Sequence, residues 1–160
     1  MFSLSHRRTT PSPGLATSRL FDQGKFYEAF IADLRRAKTR IIIESPFITM
    51  KRLRMLLPIL QQMSDKGVQV IVNTKPFDEH SQLLYEQALQ ANIALQEAGV
   101  TVFMTVGHHR KVAIIDDDIL WEGSLNILSQ NDSCELMRRI HSKEAVGEMM
   151  RFTGIKKWCK

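Results

Sequence analysis

A row of short β-branched runs, whose spacing changes about two-thirds of the way along the chain, limits this sequence to one kind of architecture. The first run is Arg40–Glu44, RIIIE, stopped by Ser45 and Pro46. An apolar run of that length bounded by turn residues reads as a buried strand. Val68–Val72 and Val100–Val106 follow, and each of these three strands comes after a segment with helical period. Phe26, Phe30 and Leu34 recur every four residues within 21–38. Leu53, Leu56, Leu57, Leu60 and Met63 mark 51–66, and a long helical stretch over 81–98 closes on Gly99 in a C-cap position. Pro58 falls inside the second helix and predicts a kink or a late helix start. Beyond Val106 the runs crowd together: Lys111–Ile115, Ile119–Glu122 and Glu135–Ile140, then a last helix over 142–152. Alternation early and clustered strands late predict an α/β fold, with a mixed central β-sheet flanked by helices on both faces. Residues 1–20, with Pro11, Pro13 and Gly14, read as a flexible or irregular arm before a single domain over 21–160.

The chain of 160 residues is long enough for one core of its own. No apolar run approaches the roughly 20 residues that span a bilayer, so membrane insertion is not expected. The first twenty residues are polar and basic without the apolar centre of a secretory signal; a cytoplasmic protein is expected, with organelle targeting left open. Cys134 and Cys159 do not form a CxxC pair and read as free thiols. A zinc site from Cys134 and His141 rests on two ligands at arbitrary spacing. Lys and Arg total 22 against 17 Asp and Glu, for a net charge of +5. That balance suits nucleic acid or an anionic membrane surface. The basic clusters near Arg35, Lys51, Arg138 and Lys156 each read first as solvated faces.

The chemistry concentrates in 109–126, HRKVAIIDDDILWEGSLN. Side chains at i and i+2 of a strand share a face, so His109 and Lys111 project together if the strand begins by residue 109. Ser124 and Asn126 have the same relation near the end of the next extended segment. Two adjacent strands then present a nucleophile, a cation and two neutral hydrogen-bonding groups around one small volume. A phosphodiester needs that set: one group to attack phosphorus, others to hold the nonbridging oxygens as charge builds. Gly123 lets the backbone approach the phosphate or adopt a positive φ. Asp116, seven residues past His109, points to the opposite face of an unbroken strand and is expected to hold the turn or the fold. His108 faces away from Lys111 and reads as a partly exposed histidine at the rim.

His109, Lys111, Asp116, Gly123, Ser124 and Asn126 together match HxKx4Dx6GSxN, and the chain is identified by them as a member of the phospholipase D superfamily. With ordinary residue frequencies, a chance match in a chain this long is on the order of one in 10⁵ or rarer. The resemblance extends loosely over 21–150, through the strand and turn RIIIESPFIT and the strand at Gly67-Val68-Gln69-Val70. It implies a carboxylate after the motif that orients the nucleophilic histidine; Glu135 is the first candidate and Asp132 the competitor. It also implies two motifs at one active site, one histidine forming a phosphohistidine and the other protonating the leaving oxygen. This chain has one full copy, because the second HxK, His141-Ser142-Lys143, lacks the rest of the motif and falls at a helix start. Single-motif members such as the Nuc-type endonucleases work as homodimers, and the resemblance implies the same here. Two close histidines sharing one charge would titrate as a coupled pair. The scheme needs no metal and no other cofactor.

Substrate is less legible. The expectation is metal-independent hydrolysis of DNA, single-stranded DNA or RNA remaining open, with Lys51, Arg52 and Arg54 on a flanking phosphate backbone and a steep dependence on salt. A phospholipase or cardiolipin hydrolase is the enzymatic alternative, since Phe47, Ile48 and Met50 beside a basic stretch suit an anionic membrane. A non-catalytic nucleic-acid-binding or dimerisation module is the third reading. A larger helicase or restriction assembly directing the domain is also compatible with the sequence.

Overall fold

Ile41, Ile42 and Ile43 sit in the middle of the sheet, and each is buried on its own face. Burying a side chain of that size contributes about 1.5–3 kcal/mol, which is why this run fixes the centre of the fold. The computed structural model describes residues 17–129 and 133–159. In chain order its elements are β1 (Ser18–Asp22), α1 (Gln23–Arg36), β2 (Arg40–Glu44), α2 (Met50–Asp65), β3 (Gln69–Thr74), α3 (Gln82–Glu97), β4 (Thr101–Met104), β5 (Val112–Ile115), β6 (Ile119–Gly123), β7 (Leu136–His141) and α4 (Lys143–Thr153). The strands form one mixed sheet in the order β1-β7-β6-β5-β2-β3-β4. β2, β3 and β4 run parallel, joined through α2 and α3; β5 lies antiparallel to β2, and β6, β7 and β1 continue antiparallel. Alternation along each strand divides the core. Ile41, Ile43, Val70, Val72, Ala113 and Trp121 pack with residues of α1, α2 and α3, whereas Ile42, Ile71, Ile114 and Leu120 pack with Val146 and Met150 of α4. The expected α/β sheet with helices on both faces is the observed architecture.

Two expectations change. The arm drawn over 1–20 is too long: Ser18–Leu20 belong to β1, which pairs with β7 from Ser18↔Ile140 to Asp22↔Leu136. An edge strand recruited by a partner more than a hundred residues away leaves no local signal. The first sixteen residues lie outside those described. α2 starts at Met50, not late, and runs through Pro58. Pro58 is exposed, so the carbonyl it leaves unpaired faces water. Remaining boundaries shift by a residue or two. Among the described residues no helix is long and apolar enough to cross a membrane, and both cysteines are free.

Candidate active site

The site is built from the ends of three neighbouring strands. β5 and β6 pair from Val112↔Glu122 to Ile115↔Ile119, and the Gly123 amide donates to the Lys111 carbonyl at 3.3 Å, carrying the ladder one step further. That step lays 109–111 alongside Gly123 and Ser124. The Ser124 amide donates to the Leu136 carbonyl at 3.0 Å, and the Leu136 amide donates back to Ser124 Oγ at 3.2 Å, which ties the start of β7 and Glu135 to the same place. Asn126 is held between Leu125 and Ile127, both fully buried. Tyr27 Oη donates to the Ile127 carbonyl at 2.8 Å and fastens that loop to α1.

His109, Lys111, Ser124, Asn126 and Glu135 thus line one open cleft of about 580 Å³, with Gly123 in its floor. His109 and Lys111 meet there although β5 begins only at Val112, so extended lead-in rather than a formal strand carries them. Lys111 Nζ donates to the His109 carbonyl at 2.7 Å. Glu135 shares the cleft with His109 but makes no hydrogen bond to it; its carboxylate accepts from Ser133 Oγ at 3.4 Å. Asp132, its competitor, lies outside the described residues. Gly123 lacks the positive φ that is one expectation for it, and the packing of β7 places a separate demand on it. A Cβ there would fall 2.2 Å from the Leu136 carbonyl oxygen and 2.9 Å from Met137 Cα. Close approach of β7 requires this glycine.

Asp116 sits at the far end of β5, away from the cleft, with φ +53. Its Oδ1 accepts from the backbone amides of Lys38, Thr39 and Arg40 at 3.0, 2.8 and 3.2 Å, and from Thr39 Oγ1 at 2.9 Å. Burial alone would push this carboxyl up; the hydrogen bonds from Thr39, Lys38 and Arg40 outweigh it and hold the pKa below the ordinary carboxylate value. Asp116 therefore knots the α1–β2 turn to the β5–β6 turn.

His108 departs from expectation. It faces away from the cleft but is only 2 % exposed, with no hydrogen-bond partner on either ring nitrogen. The turn after β4, closed by the His108 amide on the Thr105 carbonyl at 3.2 Å, folds it inward. Desolvation lowers its pKa despite the attraction of Glu44, while the charges of Arg110, Lys111 and His109 lower it further. The basic residues also sort differently. Arg52 is on the first turn of α2 and lies over the Tyr27 ring at 4.0 Å, while Lys51 and Arg54 stay exposed. Arg139 is no solvated cation: it grips buried Asp33 with two bonds of 2.7 and 2.9 Å, and Asp33 also accepts from Trp121 Nε1. His141 ends β7 at the sheet edge opposite the cleft and meets Asp118 at 3.1 Å; Cys134 precedes the other end of β7, which separates the two conceivable zinc ligands.

Sequence reasoning missed the support beneath the motif. Arg110, between His109 and Lys111, reaches Glu44 with bonds of 2.6 and 2.7 Å, and Glu44 is completely buried. Asn73 Nδ2 donates to the same carboxylate at 3.0 Å, and Thr105 Oγ1 donates to Asn73 Oδ1 at 3.0 Å. The hydrogen bond to Glu44 holds the Arg110 pKa above its ordinary value. The one available signal was polar Glu44 and Asn73 closing two otherwise apolar runs. Glu122 and Phe152 also line the cleft and were not foreseen.

The model of the family described as "Cardiolipin synthase, PLD-like domain" matches residues 30–154. Among solved structures, the phospholipase D family member Nuc from Salmonella typhimurium superposes with a TM-score of 0.69 at 14% identity, covering 84% of this chain and 90% of that one. NucT from Helicobacter pylori gives 0.69 at 19% identity, covering 89% of this chain and 96% of that one. Polyphosphate kinase from Porphyromonas gingivalis also gives 0.69, at 13% identity, but this chain spans only 28% of it. No curated protein matches the chain in sequence.

Proposed function

Because this chain belongs to the family of phospholipase D-like domains, whose fold is that of phosphodiesterases, we propose that it is a metal-independent nuclease acting on DNA as a homodimer. One observation carries the reading: His109, Lys111, Ser124, Asn126 and Glu135 share a cleft, and among the described residues that line it His109 is the only histidine. Hydrolysis through a covalent intermediate needs two proton-handling groups. One histidine must be neutral to attack, and the other must be protonated to release the leaving oxygen. Among the described residues His108 is buried and turned away, His80 lines a neighbouring cavity and His141 lies at the opposite end of the strands; as in single-motif members of the family, we take the second group to be His109 of the partner subunit across a two-fold axis.

The His109 ring nitrogen attacks phosphorus; the P–N bond forms and the P–O bond to the leaving group breaks. The partner's His109 gives its proton to the leaving oxygen. Water next attacks the phosphohistidine, the P–N bond breaks, and the partner's His109 takes the water's proton. Lys111 and the Asn126 amide stabilise the nonbridging oxygens, where charge builds. Glu135, which lines the same cleft, is the proposed acceptor for the other ring nitrogen of His109. Exposed Lys51 and Arg54, at the start of α2, take flanking phosphates and make binding salt-dependent.

Mixing experiments test the shared site. Wild-type protein is co-refolded with an excess of His109→Ala and assayed on plasmid in EDTA. In a shared site each mixed dimer is dead, so activity falls with the square of the wild-type fraction. A linear fall would mean that each chain works alone, and a requirement for added metal would sink the mechanism. The matched family model favours one competing reading, a cardiolipin-type lipid substrate. Sedimentation with anionic vesicles, set beside binding to a DNA fragment, separates the two.

A further inference from the structure

The backbone ladder stops just short of the reactive segment. The β2–β5 ladder ends at Glu44↔Val112, and the β5–β6 ladder at Val112↔Glu122. Beyond them the Gly123 amide donates to the Lys111 carbonyl at 3.3 Å, and the His108 amide donates to the Thr105 carbonyl at 3.2 Å. Between these two points, among the described residues, no backbone-to-backbone hydrogen bond joins His109 or Arg110 to a neighbouring strand. The Lys111 Nζ bond to the His109 carbonyl is internal to the segment and fixes it to nothing else. The residue proposed to attack phosphorus therefore stands on a stretch that the sheet itself does not hold.

Arg110 supplies the missing tie. It lies two residues before Val112, so on an extended chain both face the same way, one step past the last β2–β5 pair. From there Nε and Nη2 donate to the two carboxylate oxygens of Glu44 at 2.6 and 2.7 Å. Asn73 Nδ2 fixes the same carboxylate at 3.0 Å, and Thr105 Oγ1 fixes Asn73 Oδ1 at 3.0 Å. One chain of bonds thus joins the ends of β2 and β3 and the turn after β4 to the segment that carries His109. Glu44 and Asn73 are completely buried, and a two-bond fork sets orientation as well as distance. Stability alone does not account for the ion pair. Replacing a buried pair by apolar residues of similar volume is often neutral or stabilising.

We propose that Arg110 is a positioning residue of the reaction, through which buried Glu44 holds His109 at attacking distance from phosphorus. The inference rests on the phosphodiesterase reading above. A reacting group misplaced by about 1 Å can cost on the order of 10²-fold in rate. Arg110 also lines the cleft, so direct contact with a phosphate oxygen is the rival role. Kinetics separate the two. Loss of positioning lowers kcat, whereas loss of a contact made equally in the ground and transition states raises KM and leaves kcat unchanged.

The test is steady-state hydrolysis of bis(p-nitrophenyl) phosphate in EDTA, set beside thermal melting. The double variant Glu44→Leu with Arg110→Met removes both charges, so its melting temperature should stay near that of the wild type. Its kcat should nevertheless fall about 10²-fold, with KM within about twofold of the wild-type value. Arg110→Lys keeps a charge beside Glu44 but loses the planar fork, and it serves where the double variant does not fold. Its kcat should fall about tenfold at unchanged KM. Wild-type kcat in either folded variant overturns the inference and leaves the pair as a support of the fold. A rise in KM at unchanged kcat overturns it too, and makes Arg110 a substrate contact. If the wild type hydrolyses neither this diester nor plasmid, the phosphodiesterase reading itself falls and takes the inference with it.

Discussion

The two ends of β5 carry parts of the same motif and are built in opposite ways. At its start, His109 and Lys111 stand in an open cleft, and their side chains have almost no partners beyond the Lys111 bond to the His109 carbonyl. At its end, Asp116 is saturated by three backbone amides and a hydroxyl. Between them four fully or nearly buried residues, Val112–Ile115, hold the distance rigid. Groups meant for a substrate must be left free, and their freedom costs stability; groups meant for the fold are spent on it. A motif read as one unit is therefore two devices, a reactive end and a knot, joined by a strand. Arg110 belongs to the second kind although it lies inside the first, since it anchors the reactive segment on buried Glu44.

Substitutions at the two ends should break activity and stability separately. His109→Ala removes the proposed nucleophile and should lower kcat/KM by about 10⁴-fold or more, with no loss of melting temperature. Lys111→Met should cost about 10²–10³-fold, the scale of one lost charge-stabilising donor, again with the fold intact. Asp116→Ala reverses the pattern. It frees the amides of Lys38, Thr39 and Arg40 and places alanine at positive φ, so unfolding should become easier by about 2–3 kcal/mol while folded molecules keep near-normal kcat. Urea titration beside plasmid assays in EDTA measures both quantities. If Asp116→Ala abolished kcat in molecules shown to be folded, the division between the two ends would be wrong.

The reactive end was legible because chemistry restricts it. A histidine and lysine two apart, and a serine and asparagine two apart, are readable without any knowledge of what packs beneath. The central strands were legible for the same local reason, since runs such as RIIIE have one stable place in a sheet. What stayed hidden depends on contacts distant in sequence. β1 is a strand only because β7 arrives beside it. Gly123 is required by the backbone of Leu136 and Met137, which lie twelve or more residues further along. Arg139, read as part of a surface cluster, is committed to Asp33 more than a hundred residues before it. Strand alternation correctly turned His108 away from Lys111, but alternation says nothing about what covers the far face.

That covering has a measurable consequence, smaller than the others. His108 is buried with its pKa below the ordinary value of 6.5, first through desolvation. The unfolded chain binds a proton at this position near 6.5, while the folded protein refuses it until a lower pH. Stability from this residue is thus complete above 6.5 and drains away as the pH falls through the folded-state value. His108→Phe keeps a ring of similar size, removes two buried unpaired nitrogens and abolishes the titration. Melting temperature followed against pH should therefore fall less steeply below 6.5 in His108→Phe than in the wild type. At pH 8 the variant should be at least as stable, because replacing an unsatisfied polar group by an apolar one of the same shape is neutral or favourable. Identical slopes would mean that His108 takes up its proton in the folded state as readily as in the unfolded one. Glu44, rather than the loss of solvent, would then control it, and the buried network under the reactive end would be tuned for charge rather than for packing.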